Sequence, residues 1–380
     1  MCSCSEHSVC ASPSVELSTH LDKLAQLETK PIIPIEDDFK LGKNTLVADK
    51  ERLLKRAPRK YISRGLSLAM INYIKSIRLE TDLPEAELDI YINSFWNMFR
   101  CVDTLKKKDG KITSQYCKNR LCMVCNSIRQ AEQINKFHPV ISKWKNARFV
   151  TVTGGPTVPK EELAGRLDSM QKIDFDIRKL IQKRFSRGNS EKFIAIKKIE
   201  STFSFRHIGF HPHYHYIFKS PEIAKTYVSE WLKRTAIFGT YEGAQKNIPC
   251  DSNTVLELTK YFTKVSTTVE TKTGDKGINP RKLIYLDSLF YQFIAFRNKR
   301  TFTSYNIKFQ PEPAEAVIVE DTEIIEVQEG LEGGPPTDYY TWAMNDWYSI
   351  KTGLGASDYI VDNRTRNIVH SIRRHHSVYD

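Results

Sequence analysis

The chain has 380 residues, 40% of them apolar and 27% charged, enough for one large domain or two with their own cores. No apolar run is long enough to cross a bilayer, and residues 1–17 lack the basic and apolar regions of a secretory signal, so a cytoplasmic protein without a membrane partner is expected. Net charge is +12, and the rest of the chain is more basic still, because residues 311–336 hold eight acidic side chains and no Lys or Arg; such a body attracts a polyanion by counterion release.

In chain order, residues 1–55 show little periodicity and contain Pro31 and Pro34. They read as a mobile leader with at most one short helix. Leu66, Met70, Tyr73, Ile74 and Ile77 recur at helical spacing over 66–79. Leu88, Tyr91, Ile92, Phe95 and Phe99 do the same over 85–100, after Pro84. Ile128, Ala131, Ile134 and Phe137 mark a third helix.

Between the second and third helices stand Cys101, Cys117, Cys122 and Cys125. Without an export signal, closely spaced cysteines point to metal binding rather than to disulfides. Four thiolates around a tetrahedral Zn²⁺ make a closed structural site. Cys101 is the most distant ligand in sequence, and His138 is an alternative for it. Lys118, Arg120 and Arg129 near the cluster would offer positive charge to phosphates. Cys2, Cys4, Cys10 and Cys250 stand apart from this set.

From about residue 147 strands and helices alternate. Residues 149–153 are rich in β-branched side chains and end at Gly154-Gly155, which predicts a strand. A long amphipathic helix is expected over 161–187, a second strand over 193–203 and a third over 211–218. Further helices are expected over 222–237, 255–265 and 283–296.

The third strand carries the densest chemical signal. His211, His213 and His215 alternate with Pro212, Tyr214 and Tyr216, so a strand puts three imidazoles on one face and an apolar row on the other. Clustered neutral imidazoles suit a divalent metal; the plainer alternative is a row of satisfied core or surface histidines. Further on, Glu257 and Tyr261 lie four apart, with Lys264 three beyond, so on a helix they share a face. A tyrosine oxygen can form a covalent intermediate and a carboxylate can activate water, although a Glu–Tyr pair at this spacing also occurs on ordinary helices.

The chain thus divides into the leader over 1–55, a helical region with the cysteine site over 56–145, a catalytic body over 146–310, an acidic linker over 311–336 and an aromatic, basic tail over 337–380. That tail, with Arg373, Arg374, His375 and His376, either docks on the body or binds nucleic acid.

Taken in order, four segments resemble the rolling-circle replication initiators of small bacterial plasmids, the His-hydrophobic-His (HUH) endonucleases of the single-tyrosine type. Cys117-Lys118-Asn119-Arg120-Leu121-Cys122-Met123-Val124-Cys125 resembles that family's cysteine motif, apart from Met123 where proline is frequent. Residues 149–153 resemble its first core strand, His211-Pro212-His213-Tyr214-His215 its metal strand, and residues 257–264 its nucleophile helix.

The resemblance spans roughly residues 100–300 and implies an α+β catalytic domain. Its antiparallel sheet would hold the metal strand centrally, with helices packed on one side, behind a zinc-binding helical N-terminal extension. It also implies that His213 and His215 bind a catalytic Mg²⁺ or Mn²⁺, with Glu200 from the neighbouring strand as third ligand and His211 just outside the ligand set. Tyr261 would attack the scissile phosphate, leaving a 5′-phosphotyrosine and a free 3′-hydroxyl. Glu257 would activate the water that releases the strand, and Lys264 would stabilise charge near the phosphate.

The partners implied are plasmid origin DNA, a host helicase and a polymerase, with a homodimer compatible. Rival expectations are an HUH transposase or relaxase, a zinc-containing DNA-binding regulator without catalysis, and a zinc hydrolase using His211, His213 and His215.

Overall fold

The structure is a computed structural model of the chain and describes residues 43–108, 111–186, 192–251, 254, 255, 258, 267–272, 278–309 and 338–374. Helices α1 (Lys43–Ser76) and α2 (Glu85–Phe99) precede a hairpin of β1 (Thr104–Lys108) and β2 (Lys111–Ser114). Helix α3 (Met123–Ile141), β3 (Arg148–Thr153) and α4 (Leu163–Ser186) follow, then β4 (Ala195–Ser204), β5 (Gly209–Phe218) and α5 (Pro221–Thr235). Strands β6 (Lys246–Pro249), β7 (Thr267–Lys272) and β8 (Ile278–Tyr285), helix α6 (Leu286–Ala295) and β9 (Phe302–Tyr305) come next. Strands β10 (Asp338–Ala343) and β11 (Asp346–Ser349) and helix α7 (Asn363–His370) complete the main elements. Among the described residues no helix is long and apolar enough to cross a membrane.

The elements form two compact units. One holds a five-stranded sheet in the order β6-β3-β5-β4-β9, antiparallel at every pairing. The histidine strand β5 is its middle strand, hydrogen-bonded to β3 on one side and β4 on the other. The expected α+β class and antiparallel sheet are therefore present.

Alternation along β5 decides what covers each face. Tyr214, Tyr216 and Phe218 point to a core built with Val150 and Val152 of β3, Leu163, Leu167, Met170, Ile177 and Ile181 of α4, and Ile223, Tyr227 and Trp231 of α5. The spacing of those helical residues gives each helix one apolar stripe. Helix α5 starts sharply because Ser220 caps it, accepting from the Ile223 N–H at 3.3 Å, and Pro221 fills the first turn.

The helices, expected on one side of the sheet, cover both faces. On the histidine face Phe137 and Ile141 of α3 pack with Phe149, Ile196 and Ile217 of the sheet. Ile217 sits two residues beyond His215, so that end of the face is apolar and needs cover. Helix α3 therefore belongs with the sheet, and not with a separate helical region ending at residue 145.

The other unit contains α1 and α2, packed together, and a four-stranded antiparallel sheet in the order β11-β10-β1-β2. Helix α1 begins at Lys43, within the expected leader. Residues 338–374 are not a free tail. Thr104 of β1 pairs with Thr341 of β10, and Trp347 is fully buried with its indole N–H donated to the Val102 carbonyl at 2.7 Å. The acidic stretch over 311–336 lies outside the described residues.

The helix expected over 283–296 starts later. Leu283, Ile284 and Tyr285 end strand β8, where Leu283 pairs with Thr267, and the helix begins at Leu286. All three are buried, so the apolar run has no alternation to separate strand from helix.

Candidate metal centre

Three adjacent strands bring the site together through register. Across the pairings, His213 stands between Thr153 and Glu200, and His215 between Thr151 and Lys198. Directly opposed residues share a face, so Glu200, His213 and His215 converge without any loop being involved. Their ligand atoms all lie within 4.8 Å of one another, and all three residues are buried. Of the expected ligand set, these three are assembled. His211 lies outside the group, with its ring centroid 5.8 Å from that of His213, so a three-imidazole site is not what the strand forms.

Hydrogen bonding decides which ring nitrogens are available. His213 Nδ1 is 2.9 Å from the His211 carbonyl oxygen, which can only accept, so Nδ1 carries the proton. His215 Nδ1 is 2.9 Å from Thr151 Oγ1. Both Nε2 atoms then face the same oxygen, Glu200 Oε2, each at 3.4 Å. A divalent cation between them would replace the two Nε2–Glu200 contacts with three ligand bonds to one ion. Ligands about 2.1 Å from one ion in tetrahedral arrangement lie about 3.4 Å apart, so the donor set fits a divalent metal. Phe149 stacks on His215 with ring centroids 5.4 Å apart and holds its plane.

Lys198, which sequence reasoning missed, completes the charge balance. Its Nζ is 2.5 Å from Glu200 Oε1, and both groups are buried. Burial alone would raise the Glu200 carboxyl; hydrogen bonds to His213 and His215, with the Lys198 charge, outweigh it and hold it well below the usual carboxylate range. Burial lowers the His215 imidazole, with the Glu200 hydrogen bond opposing it. Burial also lowers His211, helped by its neighbour His213. Glu200 is thus an anion and His215 leans to its neutral form, the states a metal requires.

Behind the site, on the other face of the sheet, Asp174 is fully buried. Its Oδ1 accepts from the Tyr216 and Tyr227 hydroxyls, and its Oδ2 from Lys197 Nζ at 2.7 Å and Arg178 Nε at 3.2 Å. Lys197 and Lys198 are neighbours on β4 and serve opposite faces. A signal for Asp174 was present in the sequence, since it interrupts the apolar stripe Leu163, Leu167, Met170, Ile177, Ile181 at a core position.

The cysteine cluster is also assembled. The sulfurs of Cys101, Cys117, Cys122 and Cys125 lie within 4.8 Å of one another, and none is in a disulfide. Backbone N–H groups point at them: Cys117 N to Cys101 Sγ at 3.5 Å, Asn119 N to Cys117 Sγ at 3.4 Å, and Cys125 N to Cys122 Sγ at 3.5 Å. Lys118 adopts a positive φ of 57°, which turns the chain so that the Asn119 amide reaches back to the Cys117 sulfur. Such donors stabilise thiolates, and four thiolates, with no fifth ligand group among the described residues, suit a structural Zn²⁺. His138 is not needed as a ligand.

Glu257, Tyr261 and Lys264 lie outside the described residues. Val255 and Leu258, in the same segment, are buried in the cluster with Phe149, Ile196 and Ile217 on the histidine face. No protein-family model, curated protein or solved structure matches the chain.

Proposed function

We propose that this chain is a rolling-circle plasmid replication initiator that nicks and rejoins single-stranded origin DNA through a tyrosine. The observation that carries this reading is the Glu200–His213–His215 set on the middle strands of an antiparallel sheet, with both Nδ1 atoms already committed to hydrogen bonds. A second observation supports it: Val255 and Leu258, which precede Tyr261 in sequence, pack on the sheet face bearing the histidines. The basic net charge suits a polyanionic substrate.

The donor set favours Mn²⁺ over Mg²⁺, because two of its three atoms are imidazole nitrogens. A divalent ion held there would polarise a phosphate oxygen and orient the scissile group. The remaining roles belong to side chains and follow the family resemblance. The Tyr261 oxygen attacks phosphorus, and the bond to the 3′-oxygen breaks. The proton that the Tyr261 phenol gives up passes through solvent to the leaving oxygen, which becomes a 3′-hydroxyl, while the 5′-phosphate stays on Tyr261. Glu257 then deprotonates a water that cleaves the phosphotyrosine, and Lys264 offsets charge on the phosphate. Lys198 keeps Glu200 fixed and ionised throughout.

The test is incubation of the full chain with single-stranded origin DNA and Mn²⁺, followed by denaturing electrophoresis and mass mapping. The expected product is a DNA adduct on Tyr261, absent in Tyr261→Phe and in Glu200→Gln. In Glu257→Gln the adduct should form and persist. Nicking that survives Tyr261→Phe unchanged, or an adduct on another residue, overturns the assignment. Specific DNA binding without any adduct favours the non-catalytic regulator.

A further inference from the structure

We infer that a cleft beside the metal centre receives one unstacked base of the single-stranded DNA, held against Tyr241. The cleft has a volume of about 480 Å³, within the usual range for a pocket that takes a small organic group. Its floor continues the metal row by register. On β4, Thr202 and Ser204 share the face of Glu200, and on β5, His211 shares the face of His213. Thr202 stands directly across from His211, as Glu200 stands across from His213. The cleft therefore begins one strand step, about 7 Å, from the ligand set. That offset is comparable with the reach from a backbone phosphate to its own base, so a phosphate at the metal centre places a base over the cleft.

The lining has the chemistry of a base pocket. Thr153, Thr202, Ser204 and Thr240 supply hydroxyls, which donate or accept and so meet the mixed edge of a base. Tyr241 lies in the lining as well and is 68% exposed, unusual for an aromatic residue in a structured turn. Exposed aromatic faces beside polar groups are the platforms on which single-stranded bases stack.

Tyr241 is also held in place. Gln245 Nε2 donates to the Tyr241 carbonyl at 3.1 Å and to Thr153 Oγ1 at 3.3 Å, and Gln245 Oε1 accepts from the Thr153 N–H at 2.8 Å. One amide side chain thus staples the turn bearing the aromatic ring to the strand beside His213. Gly155 also lines the cleft; its φ of +98° and the Phe238 carbonyl, 2.4 Å from where a Cβ would stand, leave room for glycine alone.

This subsite rests on the DNA strand-transfer reading, but its test does not need the nick. The probe is fluorescein-labelled oligothymidine of about 20 nucleotides, with a second version carrying one photoreactive 5-iodouracil, both used with the full chain in Mn²⁺. Loss of one base stack is expected to weaken binding by roughly tenfold in Tyr241→Ala, while Tyr241→Phe, which keeps the ring, stays within about twofold. The crosslinked peptide is expected to contain Tyr241. Equal thermal melting and equal Mn²⁺ affinity in the variants establish that the fold and the metal centre are intact. Unchanged binding in Tyr241→Ala, or a crosslink confined to other segments, overturns the subsite. Absence of a Tyr261 adduct alongside a Tyr241-dependent affinity would instead reject the nicking reaction and keep the base site.

Discussion

Thr151 and His215 face each other across the β3–β5 pairing, and Thr151 Oγ1 lies 2.9 Å from His215 Nδ1. That contact selects the nitrogen that His215 turns toward Glu200. Replacing Thr151 by Val keeps the shape and removes the hydroxyl. Partners of this kind typically contribute about 10- to 100-fold to metal affinity, so Mn²⁺ binding by titration calorimetry should weaken by that order while thermal stability changes little. Unchanged affinity would mean that the hydroxyl does not set the ring.

Asp174 supplies a pH test away from the metal. Burial alone would raise its carboxyl, but Lys197 and Arg178, with the Lys197 and Tyr216 hydrogen bonds, bring it below the ordinary value. A depressed carboxyl stabilises the fold above its unfolded value, near 3.9, and that stabilisation is lost as pH falls through the lower folded value. Asp174→Asn leaves Lys197 and Arg178 facing a neutral amide and should cost about 3–5 kcal/mol at pH 7 in urea denaturation. Below about pH 4 the gap to wild type should narrow. A gap that stays constant through the acid range would refute the assignment.

The cysteine cluster and the histidine site should load independently. Cys122→Ser is expected to remove one equivalent of zinc by elemental analysis and to lower the melting temperature. Mn²⁺ binding at Glu200, His213 and His215 should survive at the temperature where the variant is folded. Zinc retained at full stoichiometry in Cys122→Ser and Cys125→Ser would remove the case for a four-thiolate site.

Trp347 tests whether residues 338–374 are structural. Its ring is fully buried and meets Trp342 edge-on at 4.6 Å. Trp347→Ala should cost about 3–5 kcal/mol, with hydrogen-exchange protection lost in β1 and β10 and kept in β5. Unaltered protection in β1 would mean that the hairpin contributes nothing to that sheet.

The histidine strand was legible because its chemistry repeats with period two, which only a strand turns into a single face. The cysteines were legible because three of them fall within nine residues. Glu200 was named through a family resemblance and is assembled with the histidines. Lys198 and Thr151 were not found, because a lone lysine or threonine in a strand carries no pattern; their roles come from register with β5, which local sequence does not specify. The pairing of β1 with β10 was hidden for a related reason, as its two strands are separated by more than half the chain. The charged residue in the stripe of α4 was visible, but reading it required knowing that Lys197, Tyr216 and Tyr227 would meet there.

The pairing of Thr104 with Thr341 also sets an order of events during synthesis. The chain between them contains all five strands of the histidine sheet, whose own pairings close earlier in translation. That sheet can be complete while the ribosome is still adding residue 338, whereas β1 must wait with an open edge for a partner made last. A nascent chain stalled shortly after residue 309 should therefore already protect β5 from proteolysis, and leave β1 exposed to cleavage or to pairing with a neighbouring chain.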